Sequence, residues 1–89
     1  MRYCITIKGR VQGVFFRKFT LETALEMGIR GFVKNMPDGS VYCEAEGDPD
    51  QLQHFIDWCS MGSPMSRVQS VEVDTAPSKG FTEFSIQQD

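Results

Sequence analysis

The sequence predicts an α+β sandwich in which two helices cover one face of a mostly antiparallel sheet, and three observations carry that prediction. Apolar residues alternate with a period of two around Ile5, Val33 and Cys43, the mark of half-buried strands. They recur at spacings of three and four from Phe16 to Met27 and from Leu52 to Cys59, the mark of helices with one apolar stripe. Turn residues separate these segments, so the order reads strand, helix, strand, strand, helix, strand, with one extra short strand.

Taken in order, Tyr3, Ile5 and Ile7 alternate with Cys4, Thr6 and Lys8 in the first strand. A stretch with glycines at 9 and 13 leads into the first helix, whose stripe is Phe16, Thr20, Ala24 and Met27 and whose C′ residue is Gly28. The second strand spans Ile29 to Asn35, with Ile29, Gly31 and Val33 on one face. Pro37-Asp38-Gly39 suits a tight turn, with proline preset for the second position and glycine free to take positive φ. The third strand, Ser40 to Glu46, completes a hairpin.

Asp48, Pro49 and Gln51 suit the N-cap, N1 and N3 positions of the second helix and form a capping-box pattern. Leu52, Phe55, Ile56 and Cys59 are its buried stripe, and Gly62 and Pro64 end it. Val68, Val71 and Val73 mark a fourth strand, and the step from 68 to 71 breaks the alternation as a bulge would. Phe84 and Ile86 mark a short fifth strand, whose partner the pattern leaves open. This order matches the split βαβ, or ferredoxin-like, plan. With no repeat, linker or low-complexity tract, residues 1–89 are expected to form a single domain.

Composition bounds the function. A content of 40% hydrophobic and 24% charged residues is ordinary for a globular protein and argues against disorder. No apolar run approaches the roughly 20 residues needed to span a bilayer, and no signal-peptide pattern follows Met1. The chain is therefore expected to be cytoplasmic, with no membrane partner. Its three cysteines make no disulfide framework and no C-x-x-C metal pair; Cys4 and Cys43 are expected on opposite faces of the sheet.

The net charge of -3 hides an asymmetry. Residues 1–40 carry seven basic side chains against three acidic ones, whereas residues 41–89 carry two against nine. A pI near 5.0 without a broad basic face argues against nucleic acid and for a small anion at one place.

That place is Gly9-Arg10-Val11-Gln12-Gly13-Val14-Phe15-Phe16-Arg17, where a strand passes through a glycine-containing turn into a helix. Backbone N–H groups at such a start point outward together, and the helix dipole adds partial positive charge. Arg17 and Lys18 stand at the helix end that disfavours cations, each at a cost of roughly 0.3–1 kcal/mol when exposed; a bound anion removes the conflict. A structural turn carrying a surface charge is the competing explanation of the same residues. The stretch fits neither G-x-x-x-x-G-K-[ST] nor G-x-G-x-x-G, which excludes nucleotide binding by those two motifs.

Asn35, at the end of the second strand, is explained either as a turn former or as a group that orients a water. In this plan the third strand pairs with the first and carries the second alongside, which brings Asn35 toward the glycine stretch. Other catalytic sets are missing: His54 is the lone histidine, and no Ser/His/Asp triad, metal cluster or pair of carboxylates accompanies the basic stretch. Asp38 is the one nearby acid and belongs to a turn. Such a site can bind phosphate and place a water but cannot protonate a poor leaving group; a carboxylate, with a conjugate acid of pKa about 4, needs no protonation.

The glycine stretch together with Gly31-Phe32-Val33-Lys34-Asn35-Met36-Pro37-Asp38-Gly39-Ser40-Val41, closing at Gly47, resembles the two signature segments of the acylphosphatases. The resemblance extends through the Trp58 region, Gly62-Ser63-Pro64 and Phe84-x-Ile86. It implies a ferredoxin-like fold and hydrolysis of acyl phosphates to a carboxylate and inorganic phosphate, without metal or cofactor. It also assigns Arg17 to gripping the phosphate, Asn35 to positioning the attacking water, and the amides of Val11, Gln12, Gly13, Val14 and Phe15 to the phosphate cradle. Phe15 stands where many members have glycine, which implies an altered site rim and not lost activity.

Two alternatives belong to other classes. One is a non-catalytic small-anion-binding or partner-docking domain on the same fold; similar domains occur inside larger hydrogenase-maturation proteins, but this chain begins with Met1 and is expected to be complete and to act as a monomer. The other, an RNA-binding sheet, needs aromatic residues on the open face; the third strand offers only Tyr42 between Ser40, Glu44 and Glu46, and those acids would repel RNA.

Overall fold

A computed structural model describes residues 1–88. Its elements are β1 (Arg2–Arg10), α1 (Phe16–Glu26), β2 (Arg30–Asn35), β3 (Val41–Glu46), α2 (Pro49–Met61), β4 (Arg67–Ala76) and β5 (Phe84–Ile86). The sheet runs β4-β1-β3-β2-β5, antiparallel throughout except that β5 lies parallel to β2. This is the predicted split βαβ arrangement, and it supplies the missing partner of the fifth strand.

Alternation settles the faces. Ile5 pairs with Cys43 and Cys43 with Val33, and all three are fully buried beneath the helices. Cys4 pairs with Glu44 on the other face, so Cys4 and Cys43 do point apart as expected. The helices contribute Phe16, Thr20 and Ala24 from α1 and Leu52, Phe55 and Cys59 from α2 to the same core. Phe16 packs its ring 5.4 Å from that of Trp58, which joins the start of α1 to the end of α2. Burial pushes the Cys43 and Cys59 thiols up, Cys59 to about 12, so both behave as small core hydrophobes.

Local chemistry explains where the elements stop. At the end of α1, Ile29 N–H donates to Ala24 O at 2.9 Å and Gly28 N–H to Leu25 O at 3.4 Å, a Schellman closure with Gly28 at φ 66°. At the start of α2 the Asp48 carboxylate accepts from Asp50 N–H at 3.0 Å. The full capping box does not form: the bond closes two residues on, and Gln51 returns none to Asp48 among the described residues. The predicted bulge is present. Lys8 pairs with Ser70 and Gly9 with Val68, so β4 carries the unpaired Gln69. Gly9 has φ 132°, and a Cβ there would run into the Arg67 carbonyl. This glycine therefore serves the crossing of β1 and β4, not the anion turn that follows.

The open face corrects one expectation. Glu44 and Glu46 are not solvated acids; they are 8% and 4% exposed. Arg2 donates to Glu44 at 2.8 Å, as does the Tyr42 hydroxyl. Glu46 accepts from the backbone N–H groups of Lys79, Gly80 and Phe81, which pins the segment leading into β5. Phe32, Tyr42 and Phe81 cluster over the same face, with Lys34 above two of the rings.

Candidate active site

The chain leaves β1 at Arg10 and turns through residues 11–15 into α1. Gly13 takes φ 75° and Phe15, the N-cap of α1, takes φ 61°, both left-handed. No side chain caps the helix, and no acidic residue occupies its first turn. Among the described residues, none of the N–H groups of residues 11–18 finds a protein acceptor; the first bond of this segment is Phe19 N–H to Phe15 O. Consecutive left-handed and right-handed residues turn such amides toward a common point, and the helix dipole adds to their field. A row of unclaimed donors at a helix start is chemically suited to an anion.

This loop forms one wall of a depression of about 340 Å³, lined by Val11, Gly13, Phe15, Phe16, Arg17, Lys18, Asn35, Ile86 and Gln88. Arg17 lines the depression, is half-buried and has no ion-pair partner among the described residues. Asn35 enters from the neighbouring hairpin. Its Oδ1 is buried and has no hydrogen-bond donor among the described residues. A buried acceptor in that state costs about 1–3 kcal/mol unless a guest supplies the hydrogen. Of the residues singled out in the sequence, Val11, Gly13, Phe15, Arg17 and Asn35 line this one depression, whereas Gln12 and the buried Val14 do not.

The structure adds what the pattern did not reveal. The Gln12 side-chain amide donates to Met36 O at 2.8 Å and to Ser40 O at 2.9 Å, tying the loop to the hairpin that carries Asn35. Ser63 Oγ, buried behind α2, donates to Val14 O at 3.1 Å and steadies the loop from the other side. Ile86 and Gln88 arrive because β5 docks on β2, where Val33 pairs with Ile86. No local pattern announces any of these contacts. Asp38 is occupied as a turn acid, accepting from Ser40 N–H at 2.9 Å and Ser40 Oγ at 2.6 Å; these bonds hold its carboxyl below the usual range. His54 is exposed on α2, away from the lining residues. The described residues contain no group of three His, Cys, Asp or Glu side chains arranged for a metal ion, and no helix is long and apolar enough to cross a membrane.

The family model described as Acylphosphatase matches residues 3–86. The chain belongs to the acylphosphatase family. An acylphosphatase of Syntrophobacter fumaroxidans is 48% identical over 83 residues, 92% of this chain and 86% of that protein. One from Shewanella amazonensis is 47% identical over 88 residues, covering 98% of this chain and 97% of the relative. The crystal structure of acylphosphatase from Bacillus subtilis superposes with a TM-score of 0.93 at 40% identity, over 97% of each chain. An acylphosphatase is an enzyme, and the name these relatives share supports acyl phosphate hydrolysis, with an acyl phosphate as substrate and phosphate as product. The resemblance drawn from the two signature segments is thus matched along nearly the whole chain.

Proposed function

We propose that this acylphosphatase hydrolyses its substrate by holding the phosphoryl group in the 11–15 loop while a water on Asn35 attacks phosphorus. The observation that carries the assignment is the buried, donor-less Oδ1 of Asn35, a residue that lines the same depression as Arg17. A water donating to Oδ1 satisfies that atom and turns a lone pair toward a phosphate seated on the loop amides. Asn35 is a positioning acceptor and takes no proton; the proton passes from the attacking water to a phosphate oxygen or to solvent. The bond from phosphorus to the water oxygen forms as the bond to the acyl oxygen breaks, and the leaving group departs as a carboxylate. Its conjugate acid has a pKa of about 4, so no general acid is required.

Charge that collects on the phosphoryl oxygens in the transition state meets the Arg17 guanidinium, the loop amides and the α1 dipole, all already oriented. Lys18, at the same rim, adds long-range attraction for the anionic substrate. The two sources of rate are therefore fixed donors around the phosphate and a fixed water.

The decisive experiment is hydrolysis of benzoyl phosphate by wild type, Asn35→Ala and Arg17→Ala, with inorganic phosphate as competitive inhibitor. Asn35→Ala is expected to lose about 10²-fold or more in kcat with the phosphate inhibition constant kept within about twofold. Arg17→Ala is expected to weaken phosphate inhibition and lower kcat/KM together, by about 10²–10³-fold. Full-rate turnover by Asn35→Ala would remove the water-positioning role. Phosphate binding without turnover of any acyl phosphate would favour a non-catalytic anion-binding domain, and activity lost to a chelator would contradict a metal-free mechanism.

A further inference from the structure

We propose that the Phe15 side chain is a specificity-determining element of this site, forming an apolar wall that favours acyl phosphates with a flat, apolar acyl group over small ones. The inference rests on the hydrolase assignment above and adds a substrate class to it.

Phe15 is the single non-glycine residue with positive φ among those described, at φ 61° and ψ 23°. The backbone conformation has a purpose, since it helps aim the loop amides, but glycine would adopt it without the steric cost that a β-carbon brings. The ring does not repay that cost inside the fold. It is 65% exposed and joins none of the aromatic pairs among the described residues. The neighbouring Phe16, by contrast, is 2% exposed and packs on Trp58. A strained residue holding a bulky apolar group in water points to a ligand.

Position identifies which part of the ligand. Phe15 lines the same depression as Arg17, and its own amide belongs to the donor row. With the phosphoryl group on those donors, the acyl carbon is one oxygen away from phosphorus and lies at the mouth of the cradle, beside the Phe15 ring. The half-buried Ile86 adds apolar surface to the lining. A planar acyl group there covers a face or edge of the ring, whereas a methyl group reaches little of it.

The test compares kcat/KM for benzoyl phosphate and acetyl phosphate in wild type, Phe15→Gly, Phe15→Asn and Phe15→Tyr. Glycine and asparagine both accept the left-handed backbone, and taking the ratio of the two substrates cancels losses common to both. The benzoyl-to-acetyl ratio is expected to fall about three- to tenfold in Phe15→Gly and Phe15→Asn. It is expected to stay within about twofold of wild type in Phe15→Tyr, where the ring is retained. An unchanged ratio in the glycine and asparagine variants, or a fall in the glycine variant alone, would overturn the proposal. Wild-type protein that turns over neither substrate would refute the hydrolase assignment itself and this inference with it.

Discussion

Replacing Gln12 by alanine separates what holds the site together from what performs its chemistry. The side chain donates to Met36 O at 2.8 Å and to Ser40 O at 2.9 Å, and it crosses from the 11–15 loop to the hairpin that carries Asn35. Neither carbonyl is orphaned by its removal. Met36 O still accepts from Gly39 N–H at 3.1 Å, and Ser40 O from Met36 N–H at 2.8 Å. The loss is therefore that of two net hydrogen bonds, without a desolvated acceptor left behind. At roughly 0.5–1.5 kcal/mol each, that amounts to about 1–3 kcal/mol. For a domain of this size each kcal/mol moves Tm by roughly 4–8 °C.

Under the proposed mechanism the kinetic consequence is larger than the thermodynamic one, because the bonds tie the loop proposed to hold the phosphate to the hairpin that carries Asn35. A displacement of about 1 Å between reacting groups costs on the order of 10²-fold, so kcat is expected to drop at least about tenfold in the folded variant. Urea titration followed by circular dichroism measures the first effect, and benzoyl phosphate turnover at saturating substrate the second. A Gln12→Ala protein with wild-type kcat and a stability change below about 0.3 kcal/mol would refute the view that this side chain clamps the two halves of the site.

Two further predictions concern the frame around the site. The Glu46 carboxylate accepts backbone N–H groups from Lys79, Gly80 and Phe81, and these bonds, that of Lys79 foremost, hold its pKa below the ordinary glutamate value. A depressed folded pKa contributes stability above the unfolded value of about 4.3, and that contribution fades as pH falls through the folded value. Urea titrations should accordingly show wild type ahead of Glu46→Gln at pH 7 and the gap closing below about pH 4; a gap independent of pH would contradict the assignment. Gly31→Ala is expected to cost more than about 4 kcal/mol or to prevent folding, since a Cβ at this position, φ 148°, would strike the Glu44 carbonyl of β3. Soluble Gly31→Ala protein with near-wild-type Tm would show that the strands can part there at little cost.

Much of this protein was legible in one dimension because its signals are local. Alternation around Ile5, Val33 and Cys43, the stripes of the two helices, the Pro37-Asp38-Gly39 turn and the valine step at 68–71 each follow from period, capping or turn chemistry. The loop proposed as the anion site stood out for the same reason: Arg17 sits at a helix start that disfavours it, and that conflict is visible without coordinates. The burial of Glu44 and Glu46 was not legible in the sequence, because Arg2 and the amides of residues 79–81, which bond to them, are more than thirty residues distant in the chain.

By itself, then, the sequence determined the element order, the faces of the strands, and the identity of the loop and its arginine, all set by neighbours within a few positions. Only the tertiary structure decided the rest. It placed β5 against β2 so that Ile86 joins the lining, buried the Asn35 acceptor beside the unclaimed amides, and threaded Gln12 between loop and hairpin. Each of these depends on which strands become neighbours, and that choice is made by the burial of one shared core, a property of the whole chain that no local pattern encodes.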